Sequence, residues 1–243
     1  MPLYLPKTNL YDKGLALREV NMTIKNIFWD VDGVLANLNY AYFNFLTKHP
    51  KYAPMFGNMK WEDLPKVLPL SPKYGALELE THPTCGKEMN KDFCADYAFF
   101  SHRPLYPNVV KVLKELHEMG YKQFTMSATF DVETKKKLLN TLLADVVDFL
   151  TIECVQHGKF MHDSAKEDML KSCFEKYGLN ADETVLVDDR IYNLQAAINI
   201  GAHPVHMRCE FTTDLPKELN WIPEVKDVED FKNWLLNSAK TAA

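Results

Sequence analysis

Between Pro107 and Met207 the apolar positions switch repeatedly between helical spacing and short continuous runs. Val109, Val110, Val112, Leu113, Leu116 and Met119 follow the helical period and stop at Gly120, a residue suited to the position just past a helix. Tyr121 to Met126 then reads as a short strand ending in Ser127-Ala128-Thr129. Asp131 is placed to cap a helix carrying Leu138, Leu139, Leu142 and Leu143. The alternation continues with a strand near Phe149 to Ile152 and a helix from about Ala165 to Tyr177. It then gives a strand Thr184 to Val187, a helix around Leu194 to Ile200 closed by Gly201, and a strand His203 to Met207. Upstream, Thr23 to Trp29 is the first convincing strand. Strands alternating with helices predict an α/β fold with a Rossmann-like parallel sheet, right-handed crossovers and a ligand site at the carboxyl ends of the strands.

Residues 36 to about 104 break this rhythm. They hold an aromatic helix candidate (Tyr40, Tyr42, Phe43, Phe45, Leu46, ended by His49-Pro50), a proline-rich middle and a second candidate from Lys91 to Phe100. A stretch this long exceeds a simple loop, so it reads as a mostly helical domain inserted into the first. The expected organisation is an N-terminal extension over 1–22, an α/β core over 23–36 and 105–243, and a helical inserted domain over 37–104.

Composition narrows the class. With 28 Lys+Arg against 33 Asp+Glu the net charge is −5, and the longest basic block is Lys135-Lys136-Lys137, which makes nucleic acid a poor partner. The five cysteines, Cys85, Cys94, Cys154, Cys173 and Cys209, form no C-x-x-C pattern, as expected of reduced thiols. Met1 to Lys7 lacks the basic flank and apolar run of a signal peptide, and no long apolar stretch occurs. A soluble, cytoplasmic protein acting on a small molecule is expected, with no membrane or nucleic-acid partner.

The chemistry gathers at predicted strand ends. Asp30-Val31-Asp32-Gly33-Val34-Leu35 follows the apolar run Ile27-Phe28-Trp29, and folding needs do not explain two acids there, since Gly33 alone would turn the chain. Ser127 follows Phe124-Thr125-Met126, and Asp188 and Asp189 follow Val185-Leu186-Val187. Lys166 opens the helix before that last strand, within the capping box Ser164-Ala165-Lys166-Glu167. The first turn of a helix favours an anion, so Lys166 is preferred over Lys159, which falls in an expected loop. If the strands are parallel neighbours, four acids, one hydroxyl and one ammonium converge. Two like charges 4 Å apart repel by about 4 kcal/mol at an effective dielectric of 20, so the acids call for a cation. Oxygen ligation with open positions suits Mg²⁺.

In this order the motifs resemble the haloacid dehalogenase superfamily of phosphohydrolases and phosphotransferases. Asp30 to Leu35 matches its first motif, Ser127 its second, Lys166 its third and Asp188-Asp189 its fourth. The insertion resembles the family's helical cap of the first type. The resemblance implies a phosphatase acting on a small phosphorylated metabolite, with Asp30 as nucleophile forming an aspartyl-phosphate and Asp32 as proton shuttle. It implies that Ser127 and the backbone amide of Ala128 hold phosphoryl oxygens and that Lys166 offsets charge. Mg²⁺ would take Asp30, the main-chain carbonyl of Asp32 and the Asp188-Asp189 pair, with Asp189 as the direct ligand and Asp188 in support. Ala128 stands where many relatives have Asn, and Arg190 is unusual after the acid pair.

Two other functions fit parts of the pattern. A phosphomutase on a sugar phosphate would share every core residue, and a non-catalytic binding protein could use the same fold. A dehalogenase fits less well, because it resembles members lacking the second acid. The cap aromatics Tyr40, Tyr42, Phe43 and Phe45 read chiefly as helix core, and Arg103 as a hinge residue that could reach an anionic substrate.

Overall fold

The computed structural model describes residues 23–71, 75–129, 131–156 and 165–240. The extension 1–22, Lys159 and Ser164 lie outside the described residues.

Six parallel strands form one sheet in the order β3-β2-β1-β4-β5-β6. They are β1 (Asn26–Trp29), β2 (Lys122–Thr129), β3 (Leu150–Gln156), β4 (Thr184–Asp188), β5 (His203–Met207) and β6 (Glu224–Val225). β1 lies centrally, bonded to β2 on one side and β4 on the other. The chain winds outward through β2 and β3, then returns to lay β4 on the opposite side of β1. The strand order therefore reverses beside β1, where an open α/β sheet leaves a crevice at its carboxyl edge.

Both faces of the sheet are covered, which is why β1 reads as an unbroken apolar run. Ile27 and Trp29 pack into one core with Val185, Val187 and Val205, joined by helices α6 (Val109–Glu118) and α10 (Val228–Lys240). Phe28 points the other way, with Phe124, Leu186, Leu170 and Ala197, under helices α8 (Ala165–Tyr177) and α9 (Ile191–Asn199). The Phe28 and Phe124 rings stack with centroids 4.6 Å apart. Helix α7 (Val132–Leu142) is capped by Asp131, whose side chain accepts from the Glu133 and Thr134 amides.

Several predicted bounds shift. β2 runs on through Ser127, Ala128 and Thr129, because β3 extends to Gln156 and supplies ladder partners for all three. Ser127 is therefore a strand residue instead of a strand exit. The helix expected over Lys91 to Phe100 is two helices, α4 (Gly86–Ala95) and α5 (Tyr97–Phe100). They part at Asp96, whose side chain accepts from the Ala98 amide and starts the second. Strand β6 and helix α10 are not among the predicted elements.

The segment from Ala36 to Leu105 holds α4 and α5 together with α1 (Leu38–Lys48), α2 (Ala53–Phe56) and α3 (Leu64–Val67). It has its own core, built on Tyr42, Phe45, Leu46, Leu64, Leu79, Met89 and Phe93. Its two crossings to the sheet are tied side by side: the Asn37 amide donates to Pro104, the Tyr106 amide donates to Leu35, and Ala36 bridges Leu105. Among the described residues no helix is long and apolar enough to cross a membrane.

Candidate active site

The chain leaves β1 through a tight turn in which the Leu35 and Ala36 amides both donate to the Val31 carbonyl. Gly33 sits in this turn at φ +94°, and a Cβ there would lie 2.3 Å from Oδ2 of Asp189. Glycine is thus required twice, by backbone conformation and by the close approach of the acid. The turn sets Asp30 and Asp32 at the carboxyl edge of β1, while neighbouring β4 delivers Asp188 and Asp189.

One ammonium joins the first and fourth motifs. Lys166, buried at the start of α8, places Nζ 2.6 Å from Oδ1 of Asp30, 2.9 Å from the Met126 carbonyl and 3.0 Å from Oδ2 of Asp188. All three of its donors have an oxygen partner. Burial would lower its pKa, but Asp188 and Asp30 together push it up to about 12. One cation shared between two carboxylates cannot fully compensate Asp30. Burial, opposed by Lys166 and reinforced by Asp188, raises that carboxyl to about 6.

Oxygens of Asp30, Asp188 and Asp189 lie within 4.8 Å of one another, all on buried residues. Asp188 is committed elsewhere: its Oδ1 accepts from the Arg190 amide and the Asn193 side chain, and its Oδ2 faces Lys166. Asp189 is different. Among the described residues its Oδ1 is buried with no hydrogen-bond partner, and its Oδ2 meets only the Cys209 thiol at 4.0 Å. Burial, opposed by Arg190 and reinforced by Asp188 and Asp30, drives its pKa well above the ordinary value. The three buried carboxylates share one contacting ammonium, and among the described residues an Asp189 oxygen without a hydrogen-bond partner lies in their midst. This donor set fits a hard divalent cation.

Asp32 is not part of that group. Its carboxylate is gripped by Arg103 through Oδ1 and by Lys135 through Oδ2, the latter at 2.5 Å. Burial would raise its pKa, but the two cations outweigh burial and hold Asp32 well below the usual carboxylate range. Arg103 is fixed in turn by Nε and Nη2, which donate to the Phe100 carbonyl at 2.9 and 2.6 Å.

Ser127 is buried on β2 opposite Cys154, two residues beyond the Thr125 that pairs with Trp29. The backbone of Ala128 continues the same ladder opposite Val155. The structure therefore brings Asp30, Lys166, Asp188 and Asp189 into direct contact or close approach, with the Ser127 and Ala128 backbone on the adjoining strand.

Three further charged residues at the site escape a reading of motifs. Lys135 is absent from it except as part of a basic block, although it lies on the helical stripe Lys135, Leu138, Leu139, which is buried. Arg103 emerges as a partner of Asp32 instead of a solvated hinge side chain. Glu78, between α3 and α4, pairs with Arg190 at 2.7 Å and so links the helical segment to the residue following the acid pair. No periodic signal marks it. Two more contacts join the same parts: the Trp61 indole donates to Glu210 at 2.7 Å, and the Thr213 amide donates to Gly75 at 2.9 Å.

Comparison with solved structures returns the same architecture. A haloacid dehalogenase-like family hydrolase from Streptococcus pneumoniae superposes with a TM-score of 0.64 at 16% identity, covering 88% of this chain and 99% of that one. A predicted phosphoglycolate phosphatase from Haemophilus somnus gives 0.62 at 16% identity, over 88% and 98%. CbbY from Rhodobacter sphaeroides, solved with phosphate, gives 0.56 at 14% identity, over 86% and 96%. At such identities these likenesses show the fold. A search of curated sequences finds no significant match. The profile of the haloacid dehalogenase-like hydrolases matches residues 24–201, which takes in the acids of β1 and β4, Ser127 and Lys166, and the chain belongs to that family of hydrolases.

Proposed function

We propose that the protein is a Mg²⁺-dependent phosphatase that hydrolyses a small phosphorylated metabolite through an aspartyl-phosphate. The observation that carries this reading is the buried Asp30 carboxylate, held by Lys166 beside the unpartnered oxygen of Asp189. Asp30 attacks phosphorus as the ester bond breaks. The electron pair of that bond goes to the departing oxygen, which takes a proton from Asp32. In the second half, Asp32 takes the proton back from water, whose oxygen attacks phosphorus and releases phosphate and the Asp30 carboxylate. Ser127 and the Ala128 amide hold the phosphoryl oxygens. Mg²⁺, held by Asp30, the main-chain carbonyl of Asp32 and Asp189, would supply positive charge that lets nucleophile and phosphate sit together.

Arg103 and Lys135 bear on the proton step. While both face Asp32 they favour its ionised form. A phosphate dianion drawn to the same cations competes with Asp32 for them, which raises the affinity of Asp32 for a proton when substrate is present. The helical segment 37–104 acts in this reading as a cap, fastened over the site by the Glu78 to Arg190 and Trp61 to Glu210 contacts. The five cysteines, all free, suit a reducing cytoplasm.

The test is a phosphate-release screen over sugar phosphates, nucleotides and phospho-acids, with Mg²⁺ or with chelator. One similar structure bears a phosphoglycolate phosphatase name, so 2-phosphoglycolate belongs in the screen. Asp30→Asn should lose at least about a thousandfold in turnover while keeping its far-ultraviolet circular dichroism. A folded Asp30→Asn protein with undiminished activity would falsify the mechanism.

A further inference from the structure

We infer that Lys135 is a second substrate-binding lysine, which holds the leaving-group oxygen of the phosphate ester while Lys166 serves the nucleophile. The inference deepens the phosphatase reading and rests on it.

The two buried lysines differ in how their donors are used. An ammonium offers three N–H groups. Lys166 has an oxygen for each. Lys135, whose side chain is 2% exposed, has one hydrogen bond to the described residues, to Oδ2 of Asp32. Its other near neighbour is the face of the Phe100 ring, 5.9 Å from Nζ, which attracts a cation without supplying a lone pair. Among the described residues two N–H groups of this buried cation thus remain without an acceptor, an arrangement that folding alone disfavours.

Folding does not require the charge either. Arg103 already neutralises Asp32, so Lys135 adds a positive charge in excess of its partner. It does so on a helical stripe shared with Leu138 and Leu139, where leucine would pack without desolvating an ion. The surplus charge and the spare donors lie beside Asp32, whose side chain, at 17% exposure, is more open than that of Asp30 at 10% or Asp188 at 0%. An anionic oxygen reaching this corner meets Lys135.

That oxygen is fixed by the division of the site. Lys166 holds Asp30, on the side from which phosphorus is attacked. Asp32 lies on the side where the ester oxygen departs, and negative charge builds on that oxygen as its bond to phosphorus breaks. A preorganised cation with free donors stabilises this charge more in the transition state than in the bound ester.

The experiment compares phenyl phosphate with 4-nitrophenyl phosphate, alike in shape but unlike in how much their leaving oxygens need stabilising. Wild type, Lys135→Met and Lys135→Arg are assayed with saturating Mg²⁺, and the ratio of kcat/KM for the two esters is read within each preparation. A ratio is insensitive to any loss of folded protein. Lys135→Met should lose about tenfold more activity on phenyl phosphate than on 4-nitrophenyl phosphate, and Lys135→Arg should recover part of the ratio. Equal losses on the two esters in Lys135→Met, as a purely structural role predicts, would overturn the assignment. Wild-type protein that releases phosphate from neither ester and from no compound of the screen would refute the phosphatase reading itself, a result separate from an active wild type with an unchanged ratio.

Discussion

Removing the divalent cation should make the protein less stable as pH rises from about 4 to about 6, against the usual behaviour of carboxylates. Asp30 is raised from 3.8 to about 6 in the folded protein. Within that window the folded state keeps a proton that the unfolded chain has released, so raising the pH favours unfolding. The difference between about 6 and 3.8 corresponds to about 3 kcal/mol at most. For a chain of this size that is about 6–12 °C in Tm. Asp32 has the opposite sign and a lower window. Its ion pairs hold it well below the usual range, so its contribution is present above the ordinary carboxylate pKa and is lost as pH falls below it.

The two effects separate in a comparison of wild type with Asp30→Asn by thermal unfolding in chelator, at about pH 4.5 and about pH 7. On raising the pH, wild type should lose ground against the variant by about 4–8 °C, because the span from about pH 4.5 to about 7 takes in about 2 of those ~3 kcal/mol. Saturating Mg²⁺ should abolish that loss in wild type, because a bound cation favours the ionised carboxylate, and should stabilise the variant much less. Parallel pH profiles for the two proteins in chelator would refute the assignment of Asp30 as an uncompensated buried acid. Equal stabilisation of both by Mg²⁺ would remove Asp30 from the metal site.

Two substitutions test the frame around the site. Gly33→Ala forces a Cβ to within 2.3 Å of Asp189 at φ +94°, which should destabilise the fold by about 1–3 kcal/mol. It should also weaken Mg²⁺ binding in calorimetry; intact Mg²⁺ affinity would mean that the Asp189 position does not matter for the metal. Phe28→Ala removes one ring of the buried Phe28–Phe124 stack and should cost about 3–5 kcal/mol in urea unfolding. Mg²⁺ affinity measured on the remaining folded protein should be unchanged, because the Phe28 ring packs on Phe124 and Phe174 and supplies no oxygen to the acid cluster.

The alternation of periods from Pro107 onward was enough to read most of the sheet, because each element there is signalled within its own residues. β5 and α8 fall at His203–Met207 and Ala165–Tyr177, the bounds that their apolar runs predict. The misses share a cause in pairing. Ser127 to Thr129 read as polar residues leaving a strand, yet Cys154 to Gln156 on β3 keep them in the ladder, and a ladder partner is invisible to a local pattern. The two-residue β6 exists only because the edge of β5 receives it. The single helix expected over Lys91 to Phe100 is split by a side-chain bond from the Ala98 amide to Asp96.

The site divides along the same line. Asp30, Asp32, Asp188 and Asp189 stand at strand ends, where folding has no use for them, and so their chemistry shows in the sequence. Arg103 and Lys135 reach Asp32 from 71 and 103 residues away, and neither carries a motif. Lys135 nonetheless left a trace. Of the block Lys135-Lys136-Lys137, only Lys135 shares the apolar stripe of α7 and is buried. A lysine on the stripe of an amphipathic helix must either find an anion or give up its charge, because burying an unpaired ammonium costs more than packing a leucine there returns. The position of a charge relative to the helical period therefore carries functional information that composition and charge runs discard, and here it singles out a residue beside the acid on the leaving-group side.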